Sequence, residues 1–317
     1  MIIIPILLLI VGLVLLIAGA EYLVRGASSM ARKWGISSIV IGLTIVAFGT
    51  SAPELVVNLM SSWKGATALA IGNVVGSNMA NILLILGIGA TIKTLKVKTG
   101  TTYKEIPFAL LAIGMVAILG NDAFFDGANF NGLGRIDGII FLAFFVIFLY
   151  YTYGISKVEG EHEAIQTYPT STALAMFSLG IFGLTIGGKI IVDNAIIIAT
   201  VAGLSEALIG LTVIAIGTSL PELATTIVAL KKGHTDLAIG NAIGSNIFNV
   251  FWVLGLSAII RPLPFDTHGN IDVLFTTAAT LILFITMFIH KKHTIQRSQG
   301  IVFILMYIGY IVYAIIR

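Results

Sequence analysis

The sequence of 317 residues contains no cysteine, and charged residues make up only 10% of it. The absence of cysteine excludes disulfide bonds and thiolate metal sites. The scarcity of charge, with 57% hydrophobic residues and a mean hydropathy of +1.03, leaves more apolar surface than a soluble domain can bury. We therefore interpret the chain as a polytopic membrane protein that contacts the lipid bilayer, and we expect no nucleic-acid partner.

The hydropathy pattern predicts ten transmembrane helices, because a helix needs about 20 apolar residues to cross the hydrocarbon of a bilayer. No small-residue cleavage site follows the first apolar segment, so we interpret it as a helix and not as a removed signal peptide. The predicted spans are residues 2–24, 36–62, 67–90, 105–120, 136–154, 170–198, 204–229, 236–259, 271–290 and 299–316.

An internal repeat organises these segments. The stretch GLTIVAFGTSAPEL at 42–55 returns as GLTVIAIGTSLPEL at 210–223, and LAIGNVVGSNMAN at 69–81 returns as LAIGNAIGSNIFN at 237–249. The offset is 168 residues throughout, and 27 of 55 aligned positions around these motifs are identical. Hydrophobic periodicity alone would not repeat the polar residues, so the pattern indicates a duplicated unit.

The repeat divides the chain into two halves of five predicted helices. The first repeat occupies residues 1–155, a cytoplasmic linker occupies 156–169, and the second repeat occupies 170–317. An odd number of helices in each half inverts the second half relative to the first. Inverted repeats are typical of secondary transporters, whose sites lie at the repeat interface near the middle of the membrane.

The basic residues fit this inverted arrangement. If the loop after the first helix is cytoplasmic, 13 of the 18 Lys and Arg residues lie on the cytoplasmic side, as the positive-inside rule requires. The other five lie outside, and they are Lys64, Arg135, Lys189, Arg261 and Arg317. The sequence thus predicts an all-α, multi-pass protein of the cell membrane with both termini extracellular.

The motif GTSAPE places a glutamate inside an otherwise apolar segment. Pro53 has no N–H group to offer the carbonyl of Gly49, so we expect the helix to break within residues 47–53 and to free backbone carbonyls. Such carbonyls are tolerated at membrane depth only where they line a wet cavity or bind a ligand. Thr50 and Glu54 are four residues apart and share a face, beside Ser51. The second half repeats these residues as Gly217, Thr218, Ser219, Pro221 and Glu222.

A single proline or serine in a membrane helix is usually structural, but a buried glutamate is costly and marks a functional site. The partner motif GNVVGSN adds Ser77 and Asn81 on one face, and Ser245 and Asn249 repeat them. Carboxylate, hydroxyl, amide and backbone oxygens are ligands for hard cations such as Ca²⁺ or Na⁺, and not for zinc or copper.

The paired motifs GTSAPE with GNVVGSN, and GTSLPE with GNAIGSN, resemble the α-repeats of the Ca²⁺/cation antiporter superfamily, and most of all the prokaryotic Na⁺/Ca²⁺ exchangers. The resemblance implies ten helices and four ion sites between the two broken helices and their partners. It also implies that the long first and sixth helices slide against the other eight. The implied ligands are Thr50, Ser51, Glu54, Ser77, Asn81, Thr218, Ser219, Glu222, Ser245 and Asn249, with the backbone carbonyls of Ala47 and Ala215.

One position departs from the wider family. Several relatives, notably the K⁺-dependent exchangers, carry Asp where this chain has Asn249, and both halves here carry Asn. We therefore expect exchange of Na⁺ for Ca²⁺ without a need for K⁺. Two neutral hydroxyl-and-carbonyl sites and one acidic centre further predict electrogenic exchange of three Na⁺ per Ca²⁺. A H⁺/Ca²⁺ antiporter is the nearest alternative and a passive cation channel is a further one. We expect no enzymatic activity, no cofactor beyond the transported ions, and no obligatory protein partner.

Overall fold

A computed structural model describes residues 3–125, 127, 131–156, 167–202, 215–265 and 267–316. The helices within these residues are α1 (Ile3–Trp34), α2 (Ser38–Thr50), α3 (Ala52–Lys64), α4 (Thr67–Ile92), α5 (Thr101–Leu119), α6 (Asp122–Phe125), α7 (Arg135–Ser156), α8 (Thr170–Val201), α9 (Ala215–Thr218), α10 (Leu220–Lys231), α11 (Thr235–Ile260), α12 (Thr267–Thr286) and α13 (Arg297–Ile316). The short strands are β1 (Leu95–Lys96), β2 (Gly132–Leu133), β3 (Leu263–Pro264) and β4 (Thr294–Ile295).

The described part of the chain is a nearly all-helical membrane protein. Eight of its helices are long and apolar enough to cross a bilayer, and the bent pair α2 and α3 makes a ninth span. The seventh predicted span, 204–229, lies partly outside the described residues, so the total of ten helices stays a prediction. The inverted relation of the halves and the division at 155 and 170 also stay predictions.

Most helix ends lie within four residues of the predicted spans, and the end of α1 differs by ten. Helix α1 continues to Trp34, ten residues beyond its predicted end. Its last turns include small residues that are buried inside the protein, and this packing continues the helix beyond the predicted span. Helix α12 ends at Thr286 and not at residue 290, since the chain turns there through His290 and His293, both at positive φ.

The two halves are joined at both short sheets. Strand β1 of the first half pairs antiparallel with β4 of the second, with Leu95 opposite Ile295. Strand β3, which is the repeat equivalent of β1, pairs with β2 of the first half, with Leu263 opposite Leu133. Helix α4 likewise packs on α13, and α11 packs on α7. Each half therefore completes the packing of the other.

Helices α1 and α8, each of 32 residues, form the most extensive helix pair among the described elements. Glycines bring their backbones into contact. A Cβ atom at Gly180 would lie 2.5 Å from the backbone nitrogen of Leu23, and one at Gly19 would lie 2.6 Å from that of Leu184. Small residues permit this close approach between membrane helices, which is stabilised by van der Waals packing. The pair therefore packs as a single unit with little room for a side chain between its backbones.

Candidate cation site

The predicted break in the first repeat occurs at Ser51, between α2 and α3. Ser51 has φ −84° and ψ 4°, and the two helices bend by 47°. Ser219 has φ −88° and ψ 4° between α9 and α10, so the second repeat reproduces the break. Both prolines fall in the first turn of the following helix, where a missing N–H costs nothing. The prediction of a helix break within 47–53 is confirmed.

Glu54 and Glu222 lie in the first turns of α3 and α10, where the helix dipole favours negative charge. Their side chains are 0% and 1% exposed. Glu222 Oε1 accepts hydrogen bonds from Ser51 Oγ at 3.2 Å and from Ser245 Oγ at 3.5 Å. Glu222 Oε2 and both carboxylate oxygens of Glu54 have no hydrogen-bond donor among the described residues. Two buried carboxylates with so few donors require a compensating cation or a proton.

The two threonines of the motifs are held by asparagines across the repeat interface. Thr50 Oγ1 donates to Asn241 Oδ1 at 3.0 Å, and its repeat equivalent Thr218 donates to Asn73 Oδ1 at 3.1 Å. The Asn73 amide donates in turn to Asn58 Oδ1 at 2.6 Å. The hydroxyl hydrogens of the threonines are thereby directed to these asparagines, and each threonine is fixed by the opposite half of the protein.

The serines of the second motif complete the contact between the halves. Ser245 Oγ lies 3.5 Å from Thr50 Oγ1, and Ser77 Oγ lies 3.4 Å from Thr218 Oγ1. Ser77 and Ser245 are buried in the middle of α4 and α11. The structure therefore brings the predicted residues of both breaks together with those of both partner helices.

Asn81 and Asn249 lie about one helical turn beyond Ser77 and Ser245 on α4 and α11. Both side chains are buried, and each Nδ2 donates to an asparagine of the other repeat, at 2.9 Å for Asn81 and 3.0 Å for Asn249. Their Oδ1 atoms have no partner among the described residues. Asn81 and Asn249 both lie in π-helical turns, which are rare and occur often at functional sites.

Unpartnered oxygen atoms concentrate at this interface. Of eleven buried side-chain polar atoms without a hydrogen-bond partner in the described ranges, six belong to predicted ligand residues. They are Glu54 Oε1, Glu54 Oε2, Glu222 Oε2, Asn81 Oδ1, Asn249 Oδ1 and Ser219 Oγ. Such groups are costly when nothing satisfies them, and a bound cation is a partner that all six of these oxygens can coordinate.

The two predicted backbone ligands, the carbonyls of Ala47 and Ala215, are not among the unpartnered oxygen atoms named above. The carbonyl of Ala47 accepts a hydrogen bond from Ser51 N at 2.9 Å and lies 3.3 Å from Thr50 Oγ1, so it is engaged within its own turn. Ala215 begins α9, and its side chain lies outside the described part. The assignment of both carbonyls as ligands stays a prediction.

The site presents oxygen ligands, which favour hard cations over soft metals. No group of three or more His, Cys, Asp or Glu residues comes together anywhere in the described ranges. Two carboxylates are here supplemented by hydroxyl and amide oxygens, which is a donor set for Na⁺ or Ca²⁺.

Four asparagines of this site were not anticipated from the sequence: Asn73, Asn78, Asn241 and Asn246. Their signal was present, because each stands at an identical position of the two GN and GSN motifs. The spacing along one helix identifies residues that share a face with the serines. It does not identify residues that hold those ligands from a neighbouring helix.

A cleft of about 370 Å³ reaches the site from one side. It lies between α8 and the helices α3 and α9, and Pro53, Pro221 and Thr218 line it together with Lys189 and Asp193. Lys189 and Asp193 pair on the surface of α8 at 2.7 Å. The cleft extends along α8 as far as Thr218.

The repeat-equivalent helices are in contact instead. Helix α1 packs along α10, and Glu21 Oε1 of α1 lies 2.6 Å from Lys232 Nζ, just after α10. Arg25 Nη2 also lies 2.6 Å from Glu21 Oε1. The structure is therefore asymmetric, with a cleft between α8 and α3 and a packed, ion-paired contact between α1 and α10.

Comparisons with known proteins agree over nearly the whole chain. The family model described as sodium/calcium exchanger protein matches residues 4–154 and 172–316. The putative antiporter CaxA of Alkalimonas amylolytica is 39% identical, with 89% of each chain covered. The sodium/calcium exchanger MaX1 of Methanosarcina acetivorans is 33% identical, with 90% of this chain and 91% of that protein covered. The solved structure of the sodium-calcium exchanger NCX_Mj soaked with Na⁺ and Sr²⁺ superposes with a TM-score of 0.85 at 32% identity, covering 98% of this chain and 99% of that chain.

Proposed function

The chain belongs to the sodium/calcium exchanger protein family, and we propose that it exchanges Na⁺ for Ca²⁺ across a cell membrane by alternating access. One observation carries the proposal. Two buried carboxylates, Glu54 and Glu222, stand at repeat-related helix breaks among oxygen atoms that lack donors. This donor set suits the two ions that the names of the relatives mention.

The oxygens divide into an acidic centre and two neutral flanks. Glu54 and Glu222, with the free amide oxygens of Asn81 and Asn249, form the centre for Ca²⁺, since two carboxylates neutralise one divalent cation. Hydroxyl and carbonyl oxygens form the flanks for Na⁺. One flank contains Ala47, Ser51 and Ser245, and the other contains Ala215, Ser219 and Ser77. A third Na⁺ occupies the centre when Ca²⁺ is absent, which gives three Na⁺ per Ca²⁺.

The asymmetry around α1 and α8 supports alternating access. In the predicted orientation, Lys232 is cytoplasmic, so the packed contact of α1 with α10 closes the site to the cytoplasm. The cleft between α8 and α3 then opens outward. Movement of the α1 and α8 unit then closes the outer cleft and opens the cytoplasmic side. The inverted repeats allow this, because equivalent helices line the site on both sides of the membrane.

The proposal includes independence from K⁺. Asn81 and Asn249 stand at both repeat-related positions, so the centre contains two carboxylates and no third. We expect the rate of Na⁺-driven Ca²⁺ uptake to stay within about twofold when a large organic cation replaces K⁺. The measurement is ⁴⁵Ca²⁺ flux into proteoliposomes with Na⁺ inside. A loss of flux without K⁺ would reveal a K⁺ site elsewhere in the protein.

The decisive experiment compares driving forces on the same reconstituted protein. Proteoliposomes loaded with Na⁺ should accumulate ⁴⁵Ca²⁺ when diluted into Na⁺-free medium, and vesicles with a pH gradient alone should not. Accumulation driven only by the pH gradient would favour the H⁺/Ca²⁺ antiporter, in which the same glutamates carry protons. Equilibration of Ca²⁺ without any second gradient would favour the passive channel. Protein-free vesicles control for leak.

A further inference from the structure

Two buried asparagines, Asn78 and Asn246, lie next to the proposed ion sites and are not among the proposed ligands. They are repeat equivalents, 168 residues apart, and both are buried. Asn78 Nδ2 donates to the backbone carbonyl of Asn246 at 3.2 Å, and Asn246 Nδ2 donates to that of Asn78 at 3.3 Å. This reciprocal pair joins α4 to α11 at the centre of the molecule.

The reciprocal pair fixes which way each amide points. A backbone carbonyl only accepts hydrogen bonds, so the atom that faces it from Asn78 or Asn246 is the NH₂ group. The other side-chain atom, Oδ1, is then an acceptor in both residues. Asn81 Nδ2 lies 2.9 Å from Asn246 Oδ1, and Asn249 Nδ2 lies 3.0 Å from Asn78 Oδ1.

The amide orientations of the two proposed ligands, Asn81 and Asn249, follow from these acceptors. Because an acceptor faces each of them, Asn81 and Asn249 must present their NH₂ groups to it. Their Oδ1 atoms therefore point the other way, and these are the oxygens without a partner in the described part of the chain. An amide turned the other way would present two N–H groups to a cation, which binds oxygen and not hydrogen.

We propose that Asn78 and Asn246 are positioning residues that hold the amide oxygens of Asn249 and Asn81, respectively, toward the bound Ca²⁺. The inference rests on the proposed function, because it assigns a role within the same cation site. Neither residue touches the ion. Each acts through one ligand of the opposite repeat. Asn246 orients Asn81, and Asn78 orients Asn249.

This pairing between the repeats distinguishes a positioning role from an ordinary packing role by double-mutant comparison. Asn246→Ala removes the acceptor for Asn81 Nδ2, and we expect the Ca²⁺ concentration for half-maximal exchange to rise about 10- to 100-fold, as for other groups that orient metal ligands. In an Asn81→Ala background, Asn246→Ala should add less than about twofold, since its target is gone. In an Asn249→Ala background it should add its full effect, because Asn249 is held by Asn78.

The measurements are Ca²⁺-dependent exchange in proteoliposomes and equilibrium ⁴⁵Ca²⁺ binding to the purified protein. Equal additions in both backgrounds would show that Asn246 only packs α4 against α11, and would overturn the proposal. If Asn246→Ala does not fold, as judged by thermal unfolding without ions, the mirror series with Asn78→Ala gives the same test with the backgrounds exchanged. An unaltered protein that neither binds nor exchanges Ca²⁺ would overturn the proposed function and this role with it, which separates the two failures.

Discussion

Replacement of Glu54 or Glu222 by glutamine should abolish Ca²⁺ exchange while leaving the protein folded. Both carboxylates are buried, and together they balance the charge of one Ca²⁺. A single glutamine leaves one positive charge uncompensated in a low-dielectric site, at a cost of about 3–5 kcal/mol, which weakens binding roughly 100-fold or more. Without ions, the same change relieves a buried charge, so thermal stability in ion-free buffer should not fall.

The chain offers a matched control for this substitution. Glu105 is 3% exposed on α5, and its Oε1 accepts a hydrogen bond from the Tyr151 hydroxyl. Glu105 is not among the proposed ligands. Glu105→Gln should therefore retain Na⁺-driven ⁴⁵Ca²⁺ uptake in the assay in which Glu54→Gln and Glu222→Gln lose it. Normal uptake by either of those two variants would refute their assignment as Ca²⁺ ligands.

Membrane potential should shift the balance point of exchange strongly. In the proposed site, Glu54 and Glu222 together contribute a charge of −2, so the site would be neutral with Ca²⁺ and +1 with three Na⁺. One net charge then crosses the membrane per cycle, which corresponds to about 2.3 kcal/mol per 100 mV. At fixed Na⁺ gradient, the Ca²⁺ ratio at which net flux reverses should change about 50-fold for 100 mV. An inside-negative potential should favour Na⁺ entry and Ca²⁺ extrusion.

The reversal point is measured in vesicles whose potential is set by a K⁺ gradient and a K⁺-selective ionophore. The same K⁺ gradient without ionophore is the control, because it leaves the potential unset. A reversal ratio that stays constant as the potential is varied would indicate electroneutral exchange. The three-to-one stoichiometry would then be wrong, although the assignment of the glutamates would be unaffected.

The main elements of the fold followed from local chemistry. The break at Ser51 was predictable because Pro53 removes a donor and strains the preceding turn. Helix ends were less predictable where tertiary packing decides them. The predicted span of the first helix ends at residue 24, but α1 continues to Trp34 because its small residues pack against neighbouring helices. Hydropathy reports the lipid solvent and contains little information about such protein contacts.

The candidate site shows a similar division. The burial of Glu54 and Glu222 beside the hydroxyl residues was predictable, because polar groups within membrane helices are costly and face the protein interior. The roles of Asn73 and Asn241 were not predictable, because each depends on a hydrogen bond to a threonine of the other half. Periodicity along one helix identifies residues that share a face, but it does not identify which helix lies opposite. That information is present only in the folded chain.

The backbone contact between α1 and α8 affects how tightly Na⁺ flow is coupled to Ca²⁺ flow in the proposed exchange cycle. With a glycine such as Gly180 against the backbone of Leu23, the contact has no long side chains that adjust to a relative displacement. In the proposed movement, one helix would therefore carry the other, and the contacts on the two sides of the site would change together. A loosely joined pair would pass through arrangements in which the site is open to both sides of the membrane, and ions would then flow down their gradients uncoupled. Under this proposal, the close glycine contact limits leak.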